Sequence, residues 1–166
     1  MGQFLITEKQ GKYNFINTEG KLISNQWFDC VWKFTNGLFK VYKDNKGNYL
    51  NSDGNFVSEV WFDDLGCFEN GFAWVQLNGK FNFINLEGKI ISEQWFDWAE
   101  DFIDNFAVVK LNDKWNAITT NGKIISEQWF NGVWNFYNGS YVKVFLNNKW
   151  NYINPKGEYI NNQWYD

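Results

Sequence analysis

KFNFINLEGKIISEQWFD, residues Lys80–Asp97, decides how the rest of the chain is read. The stretch returns as KYNFINTEGKLISNQWFD (Lys12–Asp29), KGNYLNSDGNFVSEVWFD (Lys46–Asp63), KWNAITTNGKIISEQWFN (Lys114–Asn131) and KWNYINPKGEYINNQWYD (Lys149–Asp166). Trp27, Trp61, Trp95, Trp129 and Trp164 mark the copies at intervals of 34, 34, 34 and 35 residues. A period of this length means a repeat architecture, in which neighbouring units cover one another's apolar faces. A single repeat domain over residues 1–166 follows, with units 3–36, 37–70, 71–104, 105–138 and 139–166. The one extra residue falls near Gly139-Ser140, at a turn.

Working outward, each unit opens with a strand-like run: FLITEK (Phe4–Lys9), LFKVYK, FAWVQL, FAVVKL or YVKVFL. Aromatic and β-branched residues dominate these runs, and alternation separates two faces. Leu5 and Thr7, Phe39 and Val41, Ala73 and Val75, Ala107 and Val109, and Val142 and Val144 form the better core face. The opposite face is mixed, with Lys40, Tyr42, Trp74, Gln76, Lys110, Lys143 and Phe145. Two-residue turns follow, such as Gln10-Gly11 and Asn78-Gly79, which suit a type I′ hairpin. The second strand reads Lys, aromatic, Asn, aromatic, Ile, Asn. It leads into a turn closed by Gly20, Gly54, Gly88, Gly122 or Gly157, as a type I turn with a glycine bulge requires. Leu22-Ile23-Ser24 and its equivalents read as a short third strand. A tail ending in Phe34, Phe68, Phe102 or Phe136 completes the unit.

The expected fold is therefore all-β: tandem three-stranded antiparallel meanders forming an open β-superhelix or solenoid. A five-bladed propeller-like ring is the alternative; propeller blades usually have four strands and a longer period. Trp27, Trp61, Trp95 and Trp129 read as packing columns between repeats.

Composition removes whole classes of function. The chain of 166 residues has no Arg and no His, and its formal net charge is −4. Without guanidinium forks or a basic surface, direct nucleic-acid binding is not expected. Without imidazole, neither metal ligation nor proton transfer near neutral pH has its usual residue. Cys30 and Cys67 lack metal-ligand spacing, and no cofactor is expected. Two unpaired thiols fit a reducing compartment. The N-terminus carries no leader-like pattern and no window is apolar enough to span a membrane, so a cytoplasmic protein is expected. The abundance of Lys, Asn, Ile, Phe and Tyr reads as the codon bias of an AT-rich bacterial or phage genome.

The repeat resembles that of the bacterial WG-repeat proteins, GKWGFID-x-x-GK followed by a hydrophobic run, aromatic-Asp and F-x-x-G-L-A-x-V. Lys80-Phe81-Asn82-Phe83-Ile84-Asn85, Gly88-Lys89-Ile90-Ile91, Trp95-Phe96-Asp97, Phe102 and Gly71-Phe72-Ala73-Trp74-Val75 carry the likeness. Where that family has Trp-Gly, this chain has Tyr13-Asn14, Phe81-Asn82, Trp115-Asn116, Trp150-Asn151 and, without the aromatic, Gly47-Asn48. Asn suits either a positive-φ kink or a hydrogen bond across the strand. The resemblance implies a β-repeat with an interaction role and no catalytic residues. Asn48-Tyr49-Leu50-Asn51-Ser52-Asp53-Gly54 also resembles the core of choline- and glucan-binding repeats, whose period is shorter.

Asp29, Asp63, Asp97 and Asp166 share one repeated column, where turn capping is a simpler role than catalysis. No nucleophile motif or phosphate loop is present, so an enzyme is not expected. In repeat arrays the constant columns build the scaffold and the variable ones face the partner. The copies disagree just after QWFD and on the mixed face of the first strand. Trp32, Tyr42, Trp74, Trp98, Glu100, Asp101 and Trp134 are the resulting partner-binding candidates. The expected role is a protein-binding module, an adaptor or inhibitor of a larger bacterial or phage-targeted protein. Glycan or choline recognition by aromatic platforms is the alternative. An exposed strand edge also leaves self-association open.

Overall fold

A computed structural model describes residues 4–33, 37–137 and 140–166. Among them lie fourteen strands and no helix. The chain divides into two compact units, Met1–Leu65 with Leu86–Lys89, and Gly66–Asn85 with Ile90–Asp166. In the first unit, β1 (Leu5–Lys9) pairs with β2 (Lys12–Ile16), and β3 (Cys30–Lys33), β4 (Leu38–Lys43) and β5 (Lys46–Asn51) form a three-stranded sheet; β6 (Asp64–Leu65) follows. In the second, β7 (Phe72–Leu77) pairs with β8 (Lys80–Asn85). The strands β9 (Trp98–Ala99), β10 (Phe106–Leu111) and β11 (Lys114–Thr119) make one three-stranded sheet. A further sheet comprises β12 (Gly132–Tyr137), β13 (Tyr141–Leu146) and β14 (Lys149–Ile153). All these pairings are antiparallel, so the all-β array of three-stranded meanders is the fold.

The turns are those that their residues dictate. Gln10-Gly11, Asp44-Asn45, Asn78-Gly79, Asn112-Asp113 and Asn147-Asn148 all have both φ angles between 50° and 74°. That is the type I′ geometry, whose twist matches a tight hairpin. At the next turn Gly20 N–H donates to Asn17 O and Asn17 N–H to Lys21 O, closing the bulged type I turn. The turns around Asn36 and Gly139 lie outside the described residues.

The third strand is not where the hydrophobic run places it. Leu22-Ile23-Ser24 and its equivalents touch the second strand at a single bridge, such as Ile16↔Leu22 or Ile84↔Ile90. A second bridge follows, Tyr13↔Phe28 or Phe81↔Phe96. Seven residues, 22–28, thus oppose four, 13–16. The chain bulges between the bridges because Ser24 Oγ accepts Gln26 N–H at 3.1 Å and bends it. The true third strand is the tail after QWFD, which pairs with the first strand of the next repeat: Val31↔Val41, Ala99↔Val109, Val133↔Val144.

The asparagine column fills the bulge. Asn14, Asn48, Asn82, Asn116 and Asn151 are fully buried. Asn14 Nδ2 donates to Ser24 O at 2.7 Å and Gln26 O at 2.8 Å, while its Oδ1 accepts Phe15 N–H at 2.7 Å. Asn82 repeats this with Ser92 O, Gln94 O and Phe83 N–H, and Asn48 and Asn116 do likewise. None of the five has positive φ. Of the two roles open to this asparagine, the structure uses the hydrogen bond.

Packing follows the predicted core face of the first strand, with an exception in β1. Phe39, Val41, Ala73, Val75, Ala107, Val109, Val142 and Val144 are buried, whereas Leu5 is 64% exposed. The tryptophan column is only half-buried. The residue after it, Phe28, Phe62, Phe96 or Phe130, is the core residue. Each such phenylalanine contributes roughly 2–3 kcal/mol by burial. Three tryptophans of the column, Trp61, Trp129 and Trp164, pack on core clusters. Trp61 lies against the cluster of Phe15, Phe28 and Phe39, Trp129 against that of Phe83 and Phe96, and Trp164 against that of Phe106 and Phe130.

Replacing Asn82 with alanine strands two inward carbonyls and one N–H. The expected loss of unfolding free energy is about 2–4 kcal/mol. Urea denaturation of N82A measures it, and a loss below about 0.5 kcal/mol, the level of an ordinary surface change, contradicts the clamp.

Candidate functional site

Alternation along the tail strand sorts the variable stretch. Val31, Leu65, Ala99 and Val133 point inward and are buried. Their neighbours on either side, Cys30 and Trp32, Asp64 and Gly66, Trp98 and Glu100, Gly132 and Trp134, therefore share the outer face with the mixed face of the first strand. There the sequence-derived candidates are found. Trp32, Trp98 and Trp134 are 47%, 49% and 51% exposed, while Tyr42 and Trp74 are half-buried. Glu100 and Asp101 are exposed.

In the first unit, Trp32 and Tyr42 come together edge to face at 5.4 Å between ring centroids. Lys40 stands between them, 5.8 Å and 5.4 Å from the two rings, and is anchored by the Leu65 carbonyl. The Tyr42 hydroxyl donates to Asp64 Oδ1 at 2.6 Å. Burial, then this bond, pushes the pKa of the phenol well above its ordinary value. Gly47 takes the place that an aromatic holds in the other copies, because that space is full. A Cβ there would lie 2.7 Å from Leu65 Cδ1 and 3.0 Å from Tyr42 Cε1.

In the second unit, Trp74 and Trp98 flank Phe81, at 5.6 Å and 5.4 Å. The Trp74 indole lies over Gly66, where a Cβ would approach Nε1 to 2.6 Å. Trp134 lies across Gly132 in the same way and meets Phe145 edge-on at 4.2 Å. Lys143 sits 4.3 Å from the centroid of Trp150. Partial burial, then the neighbouring Asp101, raises the Glu100 pKa above the ordinary carboxylate value.

Residue variability marks the lysines of the mixed face but does not reveal which tryptophan each one lies beside. Trp32 lies opposite Lys40, Trp98 opposite Lys110, and Trp134 opposite Lys143. When the tryptophan changes column, the lysine changes with it. Cross-strand pairs of this kind stabilise a sheet; Lys40 lies over Trp32, whereas Lys110 lies over Trp115 and Lys143 over Phe145 and Trp150. Phe81, Trp115 and Trp150 of the second strand complete the aromatic rows.

The aspartate column caps turns, as its repetition predicts. Asp29 pairs with Lys12 and its Oδ2 accepts Asp44 N–H at 2.7 Å; Asp97 pairs with Lys80 and accepts Asn112 N–H at 2.7 Å. Asn131 caps Asn147 N–H in the same position at 3.0 Å. The serines Ser24, Ser58, Ser92 and Ser126 hold turn N–H groups instead of facing a base. A depression of about 680 Å³ in the first unit is lined by Phe56, Ser58, Glu59, Trp61 and Glu87 among others. Ser58 Oγ there already accepts Val60 N–H at 3.1 Å. Among the described residues no group of His, Cys, Asp or Glu side chains is placed to hold a metal ion. Cys30 and Cys67 are both free thiols. No helix among the described residues is long and apolar enough to cross a membrane.

The family model described as "WG containing repeat" matches residues 15–46, 49–81, 83–115 and 117–150. The chain belongs to this family. Each match to the WG repeat begins at the residue after a buried asparagine. Among curated proteins none matches the sequence. A solved eukaryotic initiation factor is similar in fold, with a TM-score of 0.55 at 10% identity over 99% of this chain and 52% of that one. Hsv2 from Kluyveromyces lactis gives a TM-score of 0.48 at 12% identity, covering 95% of this chain and 58% of its own. A Bacteroides caccae protein of unknown function gives 0.35 at 13% identity, covering 97% and 72%. The WG-repeat chain thus spans a little over half the length of the first two.

The aspartate caps carry a pH signature. The bond from Lys80, then the Asn112 N–H, holds the Asp97 pKa below its ordinary value of 3.8. A depressed carboxylate adds stability that is complete above the unfolded pKa and is lost as pH falls through the folded one. Asp97→Asn keeps the turn cap, as Asn131 does, but removes this acid sensitivity. Thermal unfolding from pH 6 down to pH 2 is expected to show a shallower fall for D97N than for the wild type. Parallel curves refute the assignment.

Proposed function

We propose that this WG-repeat chain is a non-enzymatic protein-binding module that docks a partner on the outer faces of its sheets. The observation that carries this reading is the set of three half-exposed tryptophans, Trp32, Trp98 and Trp134, each opposite a lysine. Indoles held in place lose little conformational freedom on binding, and tryptophan anchors are the residues that dominate interface energetics. Around Trp98 the exposed Glu100 and Asp101 favour a partner that brings lysine or arginine to an apolar contact.

Choline recognition is less well supported. An aromatic cage for a quaternary ammonium must be empty, and here Lys40 and Lys143 already place their own ammonium groups against Trp32, Tyr42 and Trp150. The module acts as an adaptor or inhibitor of a larger bacterial or phage-targeted protein, within the cytoplasm. It takes no cofactor and performs no chemistry of its own.

Affinity purification from host extract with the wild-type chain and with the Trp32→Ala/Trp98→Ala/Trp134→Ala variant tests the reading. A partner captured by the wild type is expected to bind the variant at least about 30-fold more weakly, the equivalent of about 2 kcal/mol. Unfolding behaviour should stay near that of the wild type. An identical set of captured proteins defeats the proposal. So does saturable quenching of tryptophan fluorescence by choline or soluble glucan, which supports the alternative.

A further inference from the structure

Four joints between repeats share one geometry, and one of them differs in its chemistry. At each, the turn glycine of one repeat sits on a carbonyl of the repeat before it. A Cβ added at Gly54, Gly88, Gly122 or Gly157 would fall 2.0, 1.8, 1.7 or 2.2 Å from the carbonyl oxygen of Ile23, Val57, Ile91 or Ile125. The residue before the glycine and the residue two after the carbonyl flank the contact along the chain. They are Asp53 and Asn25, Glu87 and Glu59, Asn121 and Glu93, and Lys156 and Glu127. Only the second of these pairs is two carboxylates.

The same joint has also lost a donor. The residue before the repeat tryptophan is Gln26, Gln94, Gln128 and Gln163 in four copies, but Val60 in the second. Gln94 and Gln128 fold back, each donating its amide to the carbonyl of the tryptophan that follows, at 2.7 Å and 2.6 Å. Valine has no such group, and Val60 is 44% exposed. Beside it lies the depression of about 680 Å³, whose lining falls entirely within the first compact unit. Phe56 and Trp61 line it and meet edge to face at 5.1 Å. The charged side chains in the lining are Glu59 and Glu87, both exposed. The Val60 N–H is taken up by Ser58 Oγ.

We propose that this depression receives an arginine side chain of a partner protein, its guanidinium packed on Trp61 and paired with Glu59 and Glu87. Two carboxylates beside an indole select a cation. Arginine suits them better than lysine, because its planar fork matches a carboxylate, stacks on an aromatic ring and is weakly hydrated. The exposed rim of Glu59, Val60 and Glu87 favours a side chain carried by a protein. A free small molecule is usually enclosed over most of its surface. The chain contains no arginine, so a second copy of these repeats is not the donor. The site rests on the protein-binding reading and adds an anchor to it, but none of Trp32, Trp98 and Trp134 lines it.

Nuclear magnetic resonance on the isotope-labelled chain reads the site directly. The probe is a short blocked peptide with one arginine between glycines, and the controls carry citrulline or lysine in its place. The arginine peptide should bind in about the millimolar range and shift the Trp61 indole signal and the amide signals of Glu59 and Gly88. Citrulline keeps the shape without the charge and should bind at least about fivefold more weakly, the scale of one exposed ion pair. Val60→Gln restores the residue of the other four copies, so the fold is kept. This variant, and the double variant Glu59→Gln/Glu87→Gln, should each weaken the arginine peptide by a similar factor. The absence of saturable shifts at these residues overturns the proposal. So does a citrulline or lysine peptide that binds as tightly as the arginine one, or a V60Q chain that binds like the wild type. Each of these results leaves the tryptophan surface untested and intact, because no partner is present in the titration. An unchanged partner set for the triple tryptophan variant, in turn, leaves the peptide titration as it stands.

Discussion

A buried primary amide governs this structure. Each repeat must bring seven residues of chain back past four residues of strand, and a plain ladder cannot do so without orphaning peptide groups. One asparagine resolves the mismatch. Its two N–H donors reach two carbonyls of the bulge, and its oxygen takes the N–H of the residue that follows. Alanine has no such groups, aspartate has no donor, and glutamine places its amide one carbon too far out. Among the described residues no buried side-chain nitrogen or oxygen lacks a partner. A core rich in Phe and Val tolerates a polar column because the column is fully satisfied.

The bulge in turn explains the surface. It carries the chain out of the second strand's neighbourhood and delivers the tail to the first strand of the next repeat. One residue of the tail enters the core and its flanking residues face out. Differences among the copies thereby fall at a few outward positions, on a backbone fixed by turns, aspartate caps and asparagine clamps. Trp32, Trp98 and Trp134 occupy such positions, each packed against a neighbouring ring, Tyr42, Phe81 or Phe145.

Much of this was legible in the residues. The five copies, the Asn-Gly and Asp-Asn hairpin turns, the capping aspartates and the inward face of the first strand all follow from period and alternation. The third strand was misplaced, because Leu22-Ile23-Ser24 has strand composition while the serine that bends it signals only through a side-chain bond. That misplacement also hid how the mixed-face lysines pair: without the tail beside the first strand, the register joining Trp98 to Lys110 does not exist on paper. The half-burial of the Trp column escaped for a related reason. Composition favours Trp27 for the interior, yet it is Phe28, at the second bridge, that turns inward. The choice between positive φ and hydrogen bonding for Asn14 and its equivalents required the neighbouring carbonyls to be seen.

The asparagine clamp also bears on how such a chain comes to be folded. Its partners lie ten and twelve residues away along the sequence, and the lysine–aspartate pairs seventeen. Sheet proteins usually fold slowly because their strands must find distant partners. Here a nascent chain needs only its own most recent three dozen residues to close a repeat and begin covering the previous one. An architecture made entirely of strands thereby gains the local, stepwise assembly ordinarily associated with helices.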